Sequence, residues 1–232
     1  DYISIDPQTP SGVAMITVDD SGENSITVAP GANMNLSPDL IDEASGVIES
    51  ADVLLMQLEI PLESVQRAAQ IARDAGVQVI LNPAPAQALP ESLIINSNII
   101  TPNESEAEFL TGIPVIDEKS AEKAAEALLA RGAGSVVVTL GRRGALIVTP
   151  ELKKLVPGFK VDAVDATAAG DVFNGTLAVS VAKGQTLSEA VNFANGAAAL
   201  SVLKPGAQPS IPTALEIKEF IIKTQFQRGD QL

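Results

Sequence analysis

The chain has 232 residues, of which 46% are hydrophobic, and its 15 Lys and Arg against 29 Asp and Glu leave a net charge of −14. This length and apolar content fit one α/β domain, or two small ones, with a sizeable core, and argue against disorder. The acidic balance argues against non-specific binding to nucleic acid or to an anionic membrane surface, and the absence of Cys and His excludes disulfides, thiolate metal sites and a Ser-His-Asp triad.

The N-terminal part of the chain begins with β-rich sequence and then changes to helical periodicity. "GVAMITV" (12–18) and "NSITVA" (24–29) are β-rich runs joined by the hairpin signal "DDSGE". "SPDLIDEASGVIES" predicts a helix with a Ser cap and Pro at its first position. "ADVLLMQLEI" then predicts a strand buried on both faces, and "PLESVQRAAQIARDAG" predicts an amphipathic helix that ends at Gly76.

Strands and helices alternate through the rest of the chain. The further predicted strands are "VQVILNPAP", "SNIITPN", "SVVVTLG" with "RRGALIV" as its hairpin partner, "LKKLVPGFK" and "VDAVDAT". The further predicted helices are "ESEAEFLTG", "SAEKAAEALLARGAG", "AGDVFNGTLAVSVAKG", "TLSEAVNFANGAAALSVLK" and "TALEIKEFIIKTQ". This alternation indicates an α/β fold, a mainly parallel sheet with helices on both faces. With no signal peptide and no apolar run of ~18 residues, we expect a cytoplasmic enzyme or binding protein.

The stretch "DATAAGD" carries the clearest candidate chemistry. Ala168, Ala169 and Gly170 have minimal side chains at the start of a predicted helix, so a ligand could approach their N–H groups, and the helix dipole favours an anion there. Asp171 lies in the same turn, where the dipole should keep it ionised and ready to accept a proton from a hydroxyl. A hydroxyl, a phosphoryl donor and an Asp base are the components of a kinase reaction. Local physics alone leaves open that Asp171 merely caps the helix and that Gly170 is a turn residue.

"DATAAGDVFNG" resembles the signature of the ribokinase-like (pfkB) carbohydrate kinases. Further stretches resemble the same family in the same order, from Asp1 to about Phe220: "LLMQLEIPLESV", "LNPAPA", "IITPNESEAEFLTG", "VVVTLGRRGALIV", "VPGF" and "KPGAQPSIP". The resemblance implies phosphorylation of D-ribose at its 5-hydroxyl by ATP with Mg²⁺, which yields ribose 5-phosphate. A kinase for another sugar or for a nucleoside stays open.

The resemblance implies roles at the sugar and at the transferred phosphoryl group. Asp171 would contact the sugar and take the proton from its 5-hydroxyl, and the anion hole would be formed by Ala168, Ala169 and Gly170. Glu59, which ends the run "LLMQLE", would reach the sugar, although a solvated charge is the alternative. For Asn82, in "LNPAPA", a phosphate-side role and a structural role both stay open.

The resemblance also implies a nucleotide site. Its contacts would be Asn103, Thr139, Gly141, Arg142, Arg143, Gly144, Gly170 and Asn195. Glu106 would organise Mg²⁺ through the ion's water shell, since Mg²⁺ keeps several waters. From the residues alone, "NESEAE" is also a solvated acidic helix start, and "TLGRRG" an ordinary hairpin turn. Asn195 stands where the family commonly has His, which weakens its assignment to adenosine.

A monovalent cation site, usually for K⁺, is implied beside the anion hole. Its ligands would be mostly backbone carbonyls, so the identity of the side chains matters little. The matching positions are Asp165, Thr167, Ser201, Lys204, Gly206 and Ser210. The alternative for "LKPGAQPS" is a plain Pro/Gly loop.

The family's N-terminal segment, with an Asn-x-Asp sugar contact and a Gly-Gly-Lys-Gly-Ala-Asn type motif, has no counterpart in this sequence, which contains no Gly-Gly pair. We therefore expect residues 1–232 to form one ribokinase-like kinase domain that is incomplete at its N-terminal side, with the remaining lid strands within residues 1–32. Family lids pair, so the resemblance implies a homodimer if the lid is complete. A non-catalytic nucleotide- or sugar-binding remnant is the alternative.

Overall fold

A small antiparallel sheet comes first in the part of the chain that the computed structural model describes, residues 2–18 and 24–227. It pairs β1 (Val13–Val18) with β2 (Asn24–Ala29), with Met15 opposite Thr27. Both predicted strands of the hairpin are confirmed, and the predicted turn "DDSGE" lies outside the described residues. The short turn of 3₁₀ helix that follows, Gly31–Asn35, leads into the main body of the fold.

A six-stranded sheet forms the centre of the molecule, in the order β3-β4-β5-β6-β7-β8. Strands β3 to β6 are parallel, whereas β7 and β8 continue the sheet antiparallel. The strand bounds are β3 (Val53–Met56), β4 (Gln78–Leu81), β5 (Ile99–Ile100), β6 (Ser135–Thr139), β7 (Gly144–Val148) and β8 (Lys153–Pro157). The predicted mainly parallel α/β fold is confirmed, because parallel neighbours need the helical crossovers that the sequence supplies.

Helices cover both faces of this sheet. They are α1 (Pro38–Glu43), α2 (Ser45–Glu49), α3 (Leu62–Asp74), α4 (Glu91–Asn96), α5 (Glu104–Thr111), α6 (Glu118–Ala130), α7 (Ala169–Ala182), α8 (Leu187–Ser201) and α9 (Ala214–Gln227). Alternate residues of β4 enter different cores: Val79 and Leu81 pack with residues of α3 and α6, whereas Ile80 packs with α7 and α8. This period of two is what a strand buried on both faces requires. Among the described residues, no helix is both long enough and apolar enough to cross a membrane.

Three local predictions differ from the structure. "VDAVDAT" forms no strand, because the N–H groups of Val164 and Asp165 both donate to the carbonyl of Val202 and not to a strand. The helix predicted from Ser37 keeps its cap and its first-position Pro38 but divides into α1 and α2 at Ala44. The short helix α4 was not predicted, since its six residues show too little periodicity.

Candidate active site

The carboxyl ends of the parallel strands bring the predicted site residues to one edge of the sheet. Glu59 follows β3, Asn82 follows β4, Asn103 follows β5, and Thr139 ends β6. Backbone hydrogen bonds continue between these strand ends: the N–H of Asn82 donates to Met56, and that of Thr139 donates to Pro102, each at 2.9 Å. This is the edge at which parallel α/β sheets bind ligands.

The first turn of α7 has an unusual backbone. Ala168 has φ 60° and ψ 11°, and among the described residues it alone, apart from glycines, has a positive φ. A left-handed Ala is strained by about 1–2 kcal/mol, and such strain is concentrated at functional sites. The N–H of Ala169 donates to Ala166 at 3.2 Å, so it is already engaged within the turn.

The next two amides of α7 are available to a ligand. Within the described part of the chain, the N–H groups of Gly170 and Asp171 have no protein acceptor, as the first turn of a helix leaves them. A Cβ built on Gly170 would meet no atom within 4 Å, so the fold itself does not require glycine here. Asp171 and Ala168 line one end of a cavity of about 760 Å³ that extends along α7 towards α9. The turn can therefore accept an anion, although Ala169 contributes less than expected.

Two effects raise the pKa of the Asp171 carboxyl. Desolvation raises its pKa above the ordinary value, and the negative charge of Glu59 raises it further. This shift is opposite to the one that the helix dipole alone would cause, and the ionised state of Asp171 stays a prediction. The influence of Glu59 also shows that the structure brings these two carboxylates, one after β3 and one on α7, into the same region.

Asn103 and Glu106 form a reciprocal cap at the start of α5. The Asn103 side chain accepts from the Glu106 N–H at 2.8 Å, and the Glu106 carboxylate accepts from the Asn103 N–H at 2.8 Å and its Nδ2 at 2.9 Å. Glu106 is buried, and burial raises its pKa, whereas the hydrogen bond from the Asn103 backbone opposes that shift. The predicted pair thus has a clear structural role, and both side chains are rigidly placed at the strand edge.

The turn after β6 also has structural contacts that the sequence does not reveal. Residues Gly141–Arg143 form a 3₁₀ turn, and Arg143 makes an ion pair with Glu104 in the first turn of α5. Gly144 has φ 101°, and a Cβ there would meet the Val156 carbonyl oxygen at 2.1 Å. Gly144 is therefore required by the close approach of β8, and Arg142 remains exposed.

Asn195 is buried within the fold. Its Nδ2 donates to the carbonyl of Val156 at 3.1 Å, which ties α8 to β8. In this structure the amide donor of Asn195 is used inside the protein, so its proposed contact with adenosine stays a prediction.

The positions predicted for the monovalent cation lie on two adjoining loops. The Asp165 carboxylate accepts from the N–H of Thr167 at 2.9 Å and from that of Gly206 at 2.8 Å. A hydrogen bond with the Thr167 side chain lowers the pKa of Asp165 most, and these two backbone hydrogen bonds lower it further. Ser201 and Ser210 are buried and donate to nearby carbonyls, whereas Lys204 points its ammonium towards Glu216. The loops are thus joined, with Asp165 as their connection.

Sequence analysis missed two buried polar residues beside the anion turn. Thr101 follows β5, and its hydroxyl donates to Asn174 Oδ1 at 2.6 Å. Asn174 Nδ2 in turn donates to the carbonyl of Gly170 at 2.9 Å. The sequence feature that could have revealed this contact is the lone Asn in the apolar helix sequence "DVFNGTLAV". A polar side chain that faces the core needs a hydrogen-bond partner.

Comparison with known proteins gives a family match and similar curated proteins. A family model described as pfkB family carbohydrate kinase matches residues 1–214. A ribokinase from Haemophilus influenzae is 47% identical over 220 residues, which are 95% of this chain and 72% of that protein. A deoxyribokinase from Salmonella typhi is 38% identical over 221 residues, which are 95% of this chain and 72% of that protein.

The fold is also similar to a solved structure. The structure of Arabidopsis thaliana ribokinase complexed with ribose and ATP matches with a TM-score of 0.86 and 30% identity. The match covers 92% of this chain and 70% of that one. The similarity thus extends over most of the fold.

Proposed function

Because the chain belongs to the pfkB family of carbohydrate kinases, which are phosphotransferases, we propose that it transfers a phosphoryl group from ATP to the 5-hydroxyl of D-ribose. One observation carries this proposal. Asp171 and two unpaired N–H groups share the first turn of α7, at the edge of the sheet where Glu59 and Asn103 also lie. A base and an anion site side by side are what hydroxyl phosphorylation needs.

Asp171 is proposed as the general base. Its raised pKa makes it a stronger base than an ordinary Asp, which favours acceptance of a hydroxyl proton. Glu59 is proposed to bind the sugar, because its charge already acts on Asp171 and its position after β3 faces the same edge. The hydroxyl would then lie between a carboxylate that orients the sugar and a carboxylate that takes its proton.

The N–H groups of Gly170 and Asp171 are proposed to stabilise the transferred phosphoryl group. Charge develops on that group during transfer, and preorganised amides in a first helical turn stabilise it together with the helix dipole. Ala168 contributes through its left-handed backbone, which turns the chain into the helix. Asn103, Thr139 and the 141–144 turn are proposed to hold the nucleotide.

Mg²⁺ would arrive with ATP. The described residues contain no group of three or more acidic side chains that could hold a metal by themselves, which fits an ion bound mainly by phosphates and water. Glu106 fits an indirect role, because each of its carboxylate oxygens takes one hydrogen bond from Asn103 and keeps a lone pair for a metal-bound water. When bound, the ion would neutralise phosphate charge.

A monovalent cation, K⁺, is proposed at the joined loops 164–167 and 201–210. The residues fit such an ion because Asp165 fixes both loops through backbone N–H groups and so holds their carbonyls in place. The assay described below is repeated in K⁺, Na⁺ and choline. Higher turnover in K⁺ supports this site, and equal rates in all three count against it.

The test of the proposal is ADP formation with a panel of acceptors: D-ribose, 2-deoxy-D-ribose, D-fructose and adenosine. The proposal predicts the highest kcat/KM with D-ribose and a product phosphorylated at the 5-position, seen by ³¹P NMR. Preference for deoxyribose, the alternative that the Salmonella typhi relative favours, would keep the mechanism and replace the sugar. ATP binding in calorimetry with no turnover on any acceptor would favour the non-catalytic alternative.

A further inference from the structure

The buried pair Thr101 and Asn174 connects the end of β5 to the first turn of α7. Thr101 is 1% exposed and Asn174 is 4% exposed, so both lie in the core. The hydrogen bonds run in one direction, from the Thr101 hydroxyl to Asn174 Oδ1 and from Asn174 Nδ2 to the Gly170 carbonyl. On the other side, Asn82 Nδ2 donates to the Thr101 carbonyl at 3.2 Å. The chain of contacts therefore extends from β4 to α7.

An apolar pair would hold the helix against the sheet equally well. The neighbours of Asn174 on α7, Phe173 and Leu177, are buried against Ile80 and Val137 by apolar contact alone. Apolar contacts have little directionality, whereas hydrogen bonds fix one orientation, and a buried polar group must be satisfied. All buried side-chain polar atoms among the described residues have at least one hydrogen-bond partner, and those of this pair are included.

The Gly170 carbonyl, which accepts the hydrogen bond from Asn174, links the Thr101–Asn174 pair to the first turn of α7. The Gly170 carbonyl and the Asp171 N–H belong to one peptide unit, which is planar, so the direction of the carbonyl sets the direction of the N–H. A hydrogen bond that holds the carbonyl therefore holds the N–H on its opposite side. That N–H is one of the two unpaired donors at the anion turn.

We infer that Thr101 and Asn174 are positioning residues that aim the Gly170–Asp171 peptide at the transferred phosphoryl group. This inference rests on the proposed function for its catalytic consequence, but not for its geometry. Displacement of a reacting group by about 1 Å reduces turnover by about 10²-fold. The Asp171 N–H is proposed to act on the phosphoryl group as charge develops during transfer, so the effect falls mainly on kcat and less on KM.

The test uses a matched set of variants at the two positions. Thr101→Ser keeps the hydroxyl and is the conservative control. The double variant Thr101→Val with Asn174→Leu replaces both partners by apolar groups of similar shape, which leaves stability close to that of the wild type. We expect kcat to fall about 10–100-fold in the double variant, with both KM values and the unfolding midpoint little changed, and near-normal kcat in Thr101→Ser.

A second readout requires no substrate. The residual dipolar coupling of the Asp171 N–H bond, measured by NMR, reports the orientation of the peptide. We expect the wild-type coupling in Thr101→Ser and a changed or averaged coupling in the double variant. An unchanged coupling in the double variant overturns the inference, as does kcat that merely follows stability. If the wild type has no turnover, the proposed function fails, and the coupling alone decides the inference.

Discussion

The carboxyl of Asp171 is subject to opposing local effects. The N-terminus of α7 favours its charged form, whereas desolvation, the larger cause, and the charge of Glu59 raise its pKa. The role of Asp171 as a candidate base could be predicted from its motif. The direction of its pKa could not, because Glu59 approaches it only through the pairing of β3 with the rest of the sheet.

A raised pKa in the folded protein has a consequence for stability. The folded state binds the Asp171 proton more tightly than the unfolded state, so this group stabilises the fold below its unfolded pKa and loses that contribution as pH rises through the folded pKa. Asp171→Asn removes the charge. We expect turnover to fall by about 10²–10⁴-fold, while the thermal midpoint at pH 7–8 rises and the gain disappears towards low pH.

Thermal unfolding of the Asp171→Asn variant across pH, beside its ADP formation, checks both parts. Glu63→Gln, at an exposed acid in the first turn of α3, is the control for the loss of one negative charge. A variant that is less stable at pH 8, or one with near-normal turnover, would contradict the assignment of Asp171.

Gly170 and Ala168 differ in what the fold requires of them. A Cβ at Gly170 would meet open space, so Gly170→Ala should leave stability unchanged or raise it by up to about 1 kcal/mol, since Ala favours helix. The added methyl would occupy the anion turn, and we expect kcat to fall about 10²-fold. Denaturant unfolding and steady-state kinetics measure the two effects.

Ala168→Gly is the matched control for this pair. It relieves the strain of φ 60°, partly offset by the greater freedom of Gly in the unfolded chain, so a small gain of less than about 1 kcal/mol is expected with turnover retained. Loss of activity in Ala168→Gly together with retention in Gly170→Ala would show that the anion does not approach Gly170.

At the scale of elements, α5 and α8 begin with the same kind of cap. Asn103 with Glu106 and Thr186 with Glu189 each form a reciprocal pair of hydrogen bonds. Asn103→Ala and Thr186→Ala should each lower the free energy of unfolding by about 1 kcal/mol. Of these two variants, only Asn103→Ala should weaken ATP binding in calorimetry, because α5 directly follows the carboxyl end of β5 whereas α8 follows α7. Equal ATP affinity in both variants would limit Asn103 to its capping role.

The alternation of elements could be predicted because buried strands and amphipathic helices leave strong periodic patterns. The strand predicted at 161–167 does not form, because hydrogen bonds of Asp165 hold this segment as a loop. Its carboxylate accepts the Thr167 N–H, and its N–H donates to the carbonyl of Val202. The Thr101–Asn174 hydrogen bond could not be predicted from the sequence either, because it joins residues far apart in the chain.

At the scale of the whole molecule, the small sheet β1–β2 leaves apolar side chains exposed. Val13 and Met15 lie on one face of the sheet and are 59% and 69% exposed, whereas Val28, opposite Ala14, lies on the other face and is 50% exposed. A two-stranded sheet cannot bury such side chains by itself, and exposed apolar patches indicate interaction surfaces. The homodimer through this lid, which the family resemblance implies if the lid is complete, stays a prediction.

If the lid is complete, we expect the chain to sediment as a dimer and Met15→Lys to shift the population towards monomer. Ile116→Lys is the control, because Ile116 is an exposed apolar residue outside the lid. Analytical ultracentrifugation over a range of concentrations measures both. A monomeric wild type, or equal dissociation in the two variants, would contradict a dimer formed through the lid.

The central claim is that the strand edge and the first turn of α7 together transfer a phosphoryl group to ribose with Asp171 as the base. The most direct measurement is ADP production by this chain from ATP, Mg²⁺, K⁺ and D-ribose, with Asp171→Asn measured in parallel. We predict ribose-dependent turnover that is lost in the variant while ATP binding is retained. Turnover that persists in Asp171→Asn, or ADP formation that does not depend on ribose, would contradict the claim.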